Sequence, residues 1–508
     1  MSNLLHLMLI NLILLFYFIK CEAINESLND INEIFDKKFP EFVDISSQKL
    51  LMNPPSKYCK CHHNTVFFKY PKLVRENNKA KNITEVTIQS KEFLVLGQTT
   101  NYYILSNILK NNSIQRSQKH INHEPLKDLN LYWRNKPNSS LPRNFTNKYQ
   151  RYNHMLGWRE LTDKSLLYKN YFRLKSKFND EFDFISETYT SENMQQFKEK
   201  NKNYKLSKDN LWLIKPNHLD QGRGIKFFKD VKDIQNGDIV TRYISNPLLI
   251  NGKKFDLRIY VLVTGHNPLK IYLFNNCFAR LATTNYDLDI NDLDNVFKHL
   301  TNIHIGKKNK ERDSKLVMSL KDIKTYLKDT YSLEFSKIWD DVKDMVIKSL
   351  ISVNKNEIER EKEYPISSNS LFHLYGLDVM IDDNSKSWLI EINDHPAIID
   401  NESKVINYKE VTDIFNIIGI VPYSHITGLA MEGECKYKDA LDEAIQQSIC
   451  EFTRPSGGFE RIFPKKENID YYKTFFEEVS PNNQALWDEI KKSDFNNEKN
   501  NKYIKREL

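Results

Sequence analysis

Residues Trp388 to Pro396 read Trp-Leu-Ile-Glu-Ile-Asn-Asp-His-Pro, which sets Glu391 and Asn393 two positions apart in an apolar run. In a strand, that spacing turns both side chains to one face. Upstream, Tyr375-Gly-Leu-Asp-Val-Met-Ile has the same strand character, and Asp382-Asp-Asn-Ser-Lys386 between the two is rich in turn formers. The pair predicts a hairpin that carries Asp378 onto the face of Glu391 and Asn393. Two carboxylates and one amide oxygen are hard ligands that leave positions for water and phosphate oxygens. Such a set suits Mg²⁺ held between protein and nucleotide. Taken in isolation, the same three residues read more simply as the solvated side of a polar hairpin.

The rest of the chain tips that balance towards ATP. Leu211-Trp-Leu-Ile-Lys-Pro216 is an apolar strand ending in Lys215, followed by Gln221-Gly222-Arg223-Gly224-Ile225. Glycines let backbone N–H groups approach phosphates closely, and a lysine delivered just before them adds a point charge. Asn251-Gly252 is a strong hairpin signal, and the strand after it alternates Lys254, Asp256 and Arg258 with Phe255, Leu257 and Ile259. Alternation of this kind usually marks a solvated sheet face, but three charges of mixed sign beside a phosphate loop suit a reaction centre at least as well. Arg280 and the pair Thr301-Asn302 are further candidates.

The ordered set Ile-Lys-Pro, Gln-Gly-Arg-Gly-Ile, Asn-Pro-Leu-Leu-Ile-x-Gly-Lys-Lys-Phe-Asp-Leu-Arg, His-Leu-Thr-Asn and Trp-Leu-Ile-Glu-Ile-Asn resembles the tubulin tyrosine ligase-like family. The likeness covers roughly residues 125 to 400 and lies closest to the polyglutamylase-type members. It implies an α/β (α+β) chain of ATP-grasp-like fold with nucleotide between two α/β subdomains, and a ligase that uses ATP and Mg²⁺ to add an amino acid to a protein carboxylate. Carried onto this sequence, it implies that Lys215 and Lys254 hold phosphates and that the backbone of Thr241, Arg242, Tyr243 and Ile244 borders the adenine. Gln221, Gly222, Arg223, Gly224, Asp256, Thr301 and Asn302 complete the ATP site, and Asp378, Glu391 and Asn393 bind the metal. Arg258 and Glu391 are the catalytic pair, and Arg280, with Lys315 as a second candidate, receives the carboxylate of the free amino acid. Two departures stand out. Thr241-Arg242 replaces the usual Gln-Lys, and Asn393-Asp-His-Pro396 follows the metal strand, but no ligand is lost.

The implied reaction is glutamate addition to a glutamate side chain, with tubulin as the acceptor. The competing readings are glycine or tyrosine addition, to tubulin or to a lumenal secretory-pathway protein, and a non-catalytic ATP- or tubulin-binding module. The 508 residues are 40% hydrophobic and 12% aromatic, enough for a large core. A net charge of +7 favours an acidic protein surface. No zinc knuckle, aromatic RNA-binding signature or dense basic stripe accompanies that charge, so nucleic acid is not an expected partner.

The chain divides on composition into residues 1–23, 24–124 as an accessory region, 125–400 as the ligase core, 401–491 as a helical extension and 492–508 as a charged tail. Leu4 to Ile19 is almost wholly apolar, with Cys21 and Ala23 as small residues where a signal peptide would be cleaved; a signal anchor, and with it membrane attachment, is the alternative. The chain ends Lys505-Arg-Glu-Leu508, a variant of a retention signal of the endoplasmic reticulum. Those segments point to the lumen, whereas the family resemblance points to cytoplasm, cytoskeleton or cilium. The cysteines are too few and too scattered to predict a disulfide framework.

Overall fold

The computed structural model describes residues 147–217, 222–310, 316–364, 369–396, 404–423 and 435–492, together with short pieces among 48–134 and isolated residues between these ranges. The chain divides into two units, residues 1–48 with 87–91 and all the rest, and the second unit holds both of the sheets that form the site. Residues 1–23, residues 493–508, Gln221 and Lys315 lie outside the described residues.

A small antiparallel sheet is built from β1 (Thr188–Tyr189), β2 (Trp212–Pro216), β3 (Lys226–Phe227) and β4 (Asp238–Arg242), in the order β3-β2-β4-β1. One of its faces packs Trp212, Ile214 and Val240 with Phe197 and Phe228, and the other packs Leu211, Leu213, Phe227 and Tyr243. A sheet covered on both sides explains why Leu211 to Ile214 is an unbroken apolar run.

The larger sheet holds β5 (Leu249–Ile250), β6 (Lys253–His266), β7 (Leu269–Leu281), β8 (Val317–Ser319), β9 (His373–Ile381), β10 (Ser387–Asn393) and β11 (Phe459–Phe463). Its central order is β8-β7-β6-β9-β10, with β5 paired to β6 and β11 to β7, and every pairing is antiparallel. Asn251 and Gly252, both at positive φ, make the tight turn between β5 and β6, as that dipeptide predicts. Phe255, Leu257, Ile259 and Val261 of β6 enter the main core with Leu377 and Val379 of β9. The 27-residue helix Phe335–Glu361 packs on the sheet there through Ile338, Val342 and Val346. Alternation then leaves Lys254, Asp256, Arg258 and Asp378 on the opposite face.

Two boundaries expected from composition do not mark breaks in the fold. The parallel strands Val95–Gln98 and Gln115–Ser117 share a sheet with Leu131–Trp133 and Arg151–Tyr152, so that sheet runs across residue 124. Residues 401–491 are not purely helical: β11 pairs with β7, and Trp487 of the helix Pro481–Lys492 is fully buried in the main core. Periodicity missed β11 because five residues between glycines and a proline carry no pattern long enough to read.

The cysteine expectation is overturned as well. Cys59 is bonded to Cys450 across 391 residues, and Cys435 is also disulfide-bonded. Sequence spacing gives no hint of a bond whose partners meet only through tertiary structure. Among the described residues no group of three His, Cys, Asp or Glu forms a ready metal site, and no helix is long and apolar enough to cross a membrane.

Candidate active site

A cleft opens between the two sheets, lined by Lys215 and Leu213 of β2, Ile239 and Thr241 of β4, Lys254 and Asp256 of β6, Arg280 of β7, Asp378 and Met380 of β9, and Leu389 and Glu391 of β10. The hairpin of β9 and β10 sets Asp378 directly opposite Glu391, as the sequence predicts. Asn393 lies beside them, its amide nitrogen 3.4 Å from both Asp378 Oδ2 and Glu391 Oε1.

A lattice of buried charges surrounds Asp378. Arg258, its cross-strand neighbour, donates Nε to Oδ1 at 2.7 Å, and Arg280 reaches Oδ2 at 2.7 Å. Arg280 also forks onto Asp256, with Nε to Oδ1 at 2.7 Å and Nη2 to Oδ2 at 2.6 Å, and the Thr301 hydroxyl donates to Asp256 Oδ2. Bidentate pairing of this kind locks guanidinium orientation. Burial works against the Asp378 carboxylate, but Arg258 and Arg280 outweigh it and hold its pKa well below the usual range. Burial likewise opposes the Arg280 charge, and Asp256 and Asp378 more than restore it. At Glu391 the balance runs the other way: burial, then Asp378, push its pKa up against the weaker pull of Lys164 and Arg280.

Two lysines face this lattice. Burial lowers Lys215 to about 8, with Glu391 opposing and Lys164 adding to the shift. Burial and then Lys215 bring Lys254 down to about 7, against the pull of Asp256. Lys254 Nζ donates to the Tyr243 hydroxyl at 3.0 Å and stands 4.1 Å from the centre of that ring, while His299 Nδ1 lies 2.9 Å from the same hydroxyl. Burial and Lys254 lower His299 to about 4, which makes it a neutral ring at pH 7. Two lysines whose charge is disfavoured by burial face one cleft, an arrangement that an anion with several negative oxygens would stabilise.

The glycine loop is shaped as its composition predicts. Gly222 and Gly224 sit at φ +74° and +73°, and a Cβ on either would come within 3 Å of Ile305 Cδ1 or Pro216 Cγ. Gly222 lines the cleft, whereas Arg223 and Gly224 are exposed and do not line it. Thr241, Arg242, Tyr243 and Ile244 all border the cleft. The Arg242 guanidinium donates to the Asp209 carbonyl at 3.1 Å, while its backbone N–H donates to the Glu187 carbonyl at 2.7 Å and its carbonyl accepts from Ser186 Oγ at 2.8 Å. Asn302 lines the cleft and also caps the short helix that follows, accepting from His304 N at 2.8 Å. Arg258 and Asn393 reach the wall through Asp378.

Several wall residues escaped sequence reasoning. Asp163 accepts from the backbone of Ser165 and Leu166 and caps the helix Lys164–Phe178, which places Lys164 at its first position and in the cleft. The signal was there, since an aspartate before a helical run is a cap, but nothing local says which cleft such a helix faces. Thr188 shares a 2.8 Å hydroxyl contact with Thr241 across strands and was invisible for the same reason.

The donor set fits a divalent cation. Half-buried Glu391 lies beside buried Asp378 and is destabilised as an anion by it, and a cation between them would relieve that repulsion. Turning the Asn393 amide over, an orientation that hydrogen bonding alone assigns, would present its oxygen to the same point.

The family model described as "Tubulin-tyrosine ligase family" matches residues 143–425. The chain is 32% identical over 332 residues to the probable alpha-tubulin polyglutamylase Ttll1 of Tetrahymena thermophila, covering 56% of this chain and 78% of that protein. It is 31% identical over 385 residues to the human tubulin polyglutamylase TTLL6, covering 69% of this chain but 42% of the relative, and 32% identical over 287 residues to the mouse tubulin monoglutamylase TTLL4, covering 54% and 24%. The matched region holds the whole described cleft, from Lys164 to Glu391, and the chain belongs to the tubulin-tyrosine ligase family.

Proposed function

We propose that this chain is an ATP- and Mg²⁺-dependent ligase of ATP-grasp type that adds glutamate to a glutamate side chain of an acidic protein, with tubulin, the substrate named for its relatives, as the model acceptor. The observation that carries the reading is the juxtaposition of Lys215 and Lys254, both depressed by burial, with the Asp378–Glu391 pair in one cleft. ATP supplies the missing anion. In this reading the apolar wall of Leu213, Ile239, Met380 and Leu389 and the backbone of Thr241 to Ile244 would receive its base, and Gly222, Lys215 and Lys254, which line the same cleft, would receive its phosphates.

A carboxylate is a poor electrophile. In the proposed first step an oxygen of the acceptor carboxylate attacks the γ-phosphorus and ADP leaves, giving an acyl phosphate. The amino group of the incoming amino acid then attacks the acyl carbon, phosphate departs with the C–O bonding pair, and the nitrogen loses a proton. Positioning and charge stabilisation supply most of such catalysis. Mg²⁺ held by Asp378, Glu391 and Asn393 would shield the phosphate charge. Arg258, held by Asp378 behind the cleft wall, is assigned to stabilising the acyl phosphate. Arg280 is assigned to the amino-acid carboxylate and shares its guanidinium with Asp256 and Asp378. A glutamate-adding reading fits the polyglutamylase and monoglutamylase relatives.

The test is Glu391→Gln in a purified-protein assay of radiolabelled glutamate transfer to an acidic acceptor. Transfer should fall at least a hundredfold while the far-UV spectrum and melting temperature hold. Undiminished transfer would remove the catalytic assignment, and retained ATP binding with no transfer by the wild type would favour a binding module.

A further inference from the structure

The disulfide sits where no catalytic residue needs it. Cys59 is buried and belongs to a segment laced onto the C-terminal half of the fold by independent contacts. Val66 N donates to the Ile420 carbonyl at 2.9 Å, Phe68 N donates to Asn416 Oδ1 at 2.8 Å, and Phe68 packs on Phe415 with ring centres 4.9 Å apart. Its partner Cys450 is on the helix Ala440–Phe452, and the two Cα atoms are 5.3 Å apart, within the range that a disulfide spans. The next residue, Glu451, anchors that helix to the large sheet: its carboxylate accepts from Thr264 Oγ1 at 2.6 Å, Tyr272 OH at 2.8 Å and Lys270 Nζ at 2.7 Å. The bond therefore ties the N-terminal segment to a helix fixed on β6 and β7, the two strands that carry Lys254, Asp256, Arg258 and Arg280. With Cys435 also oxidised, Cys277, buried in β7, is the free thiol among the described residues.

Thiols this well placed for pairing stay reduced in cytosol and become disulfides where the surroundings are oxidising. We infer that this enzyme works in an oxidising compartment with Cys59–Cys450 as a structural staple, where the acidic acceptors within its reach are secreted or lumenal proteins. The identity of the transferred group rests on the proposed ligase activity, whereas the staple and the compartment do not. Bond formation removes two protons and two electrons from the two thiols, and a dithiol–disulfide oxidant of the compartment takes them by exchange.

The test uses the full wild-type chain carrying an internal tag, expressed in a eukaryotic cell. Free thiols are blocked with N-ethylmaleimide at lysis, the protein is digested without reduction, and the peptides are mapped by mass. In parallel, sealed microsomes are treated with protease. The expected result is a linked peptide pair bearing Cys59 and Cys450, N-ethylmaleimide on Cys277 only after unfolding, and a full-length tagged chain surviving protease until detergent is added. Alkylated Cys59 and Cys450, zinc bound in place of the bond by native mass spectrometry, or digestion of the chain in intact vesicles would each overturn the inference. None of these readouts depends on glutamate transfer, so a failure of the ligase reading appears only in the Glu391→Gln assay.

Discussion

At the residue scale the cleft combines two kinds of buried charge that respond differently to mutation. Asp378 holds two guanidiniums, so Asp378→Ala leaves Arg258 and Arg280 short of a counter-ion in a buried site. Removing one partner from such a lattice costs about 3–5 kcal/mol, and a urea titration should show the midpoint falling accordingly. Glu391→Gln should change that midpoint little, because burial and Asp378 already disfavour the charged form of Glu391.

The two lysines give a pH signature. Lys215 near 8 and Lys254 near 7 are depressed, so the folded, nucleotide-free protein holds fewer protons than the unfolded chain between about pH 7 and the ordinary lysine value of about 10.4. Their contribution to stability accordingly rises with pH across that window. Phosphate binding needs them charged, so ATP affinity should run the opposite way. It should weaken by about a hundredfold or more from pH 7 to pH 9, since both charged fractions fall over that range, and titration calorimetry in buffers of different ionisation enthalpy should show proton uptake on binding near pH 8. Proton release would show that these lysines do not meet the phosphates.

Loop and strand geometry set the consequences at the scale of elements. Gly224 needs its positive φ, and a Cβ there would press Pro216 Cγ at 2.9 Å, directly after Lys215. An alanine in left-handed backbone costs about 1–2 kcal/mol, and at an exposed loop most of that is relieved by moving the loop. Gly224→Ala should therefore raise the KM for ATP severalfold with a melting temperature nearly unchanged. A fall in melting temperature with an unaltered KM would place the glycine in folding alone. The same level shows why hairpins were legible and β11 was not. Asn251-Gly252 and the Asp382–Lys386 turn announce themselves locally, whereas β11 is defined by its register against Tyr272 and Phe274 of β7.

For the whole molecule, a net charge of +7 should speed and tighten encounter with a glutamate-rich acceptor. Because such attraction is screened over about 8–10 Å at physiological ionic strength, the KM for an acidic acceptor peptide should climb severalfold between low and physiological salt. The KM for free glutamate, which is held by local contacts, should change far less. Equal salt sensitivity of both would locate the effect in the cleft and remove the long-range term.

The amino-acid order by itself determined the hairpins, the two-residue spacing that aligns Glu391 with Asn393, the strand that delivers Lys215 to a glycine loop, and the alternation that separates Lys254, Asp256 and Arg258 from the core. All of these follow from periodicity and turn chemistry acting over fewer than about 15 residues. Only the tertiary structure decided that Arg280 shares its guanidinium between Asp256 and Asp378, that Lys164 and Thr188 enter the cleft, that β11 completes the large sheet, and that Cys59 meets Cys450. Each of these joins residues from tens to hundreds of positions apart. Such contacts are specified by packing and register between elements, and no local pattern of residue types encodes them.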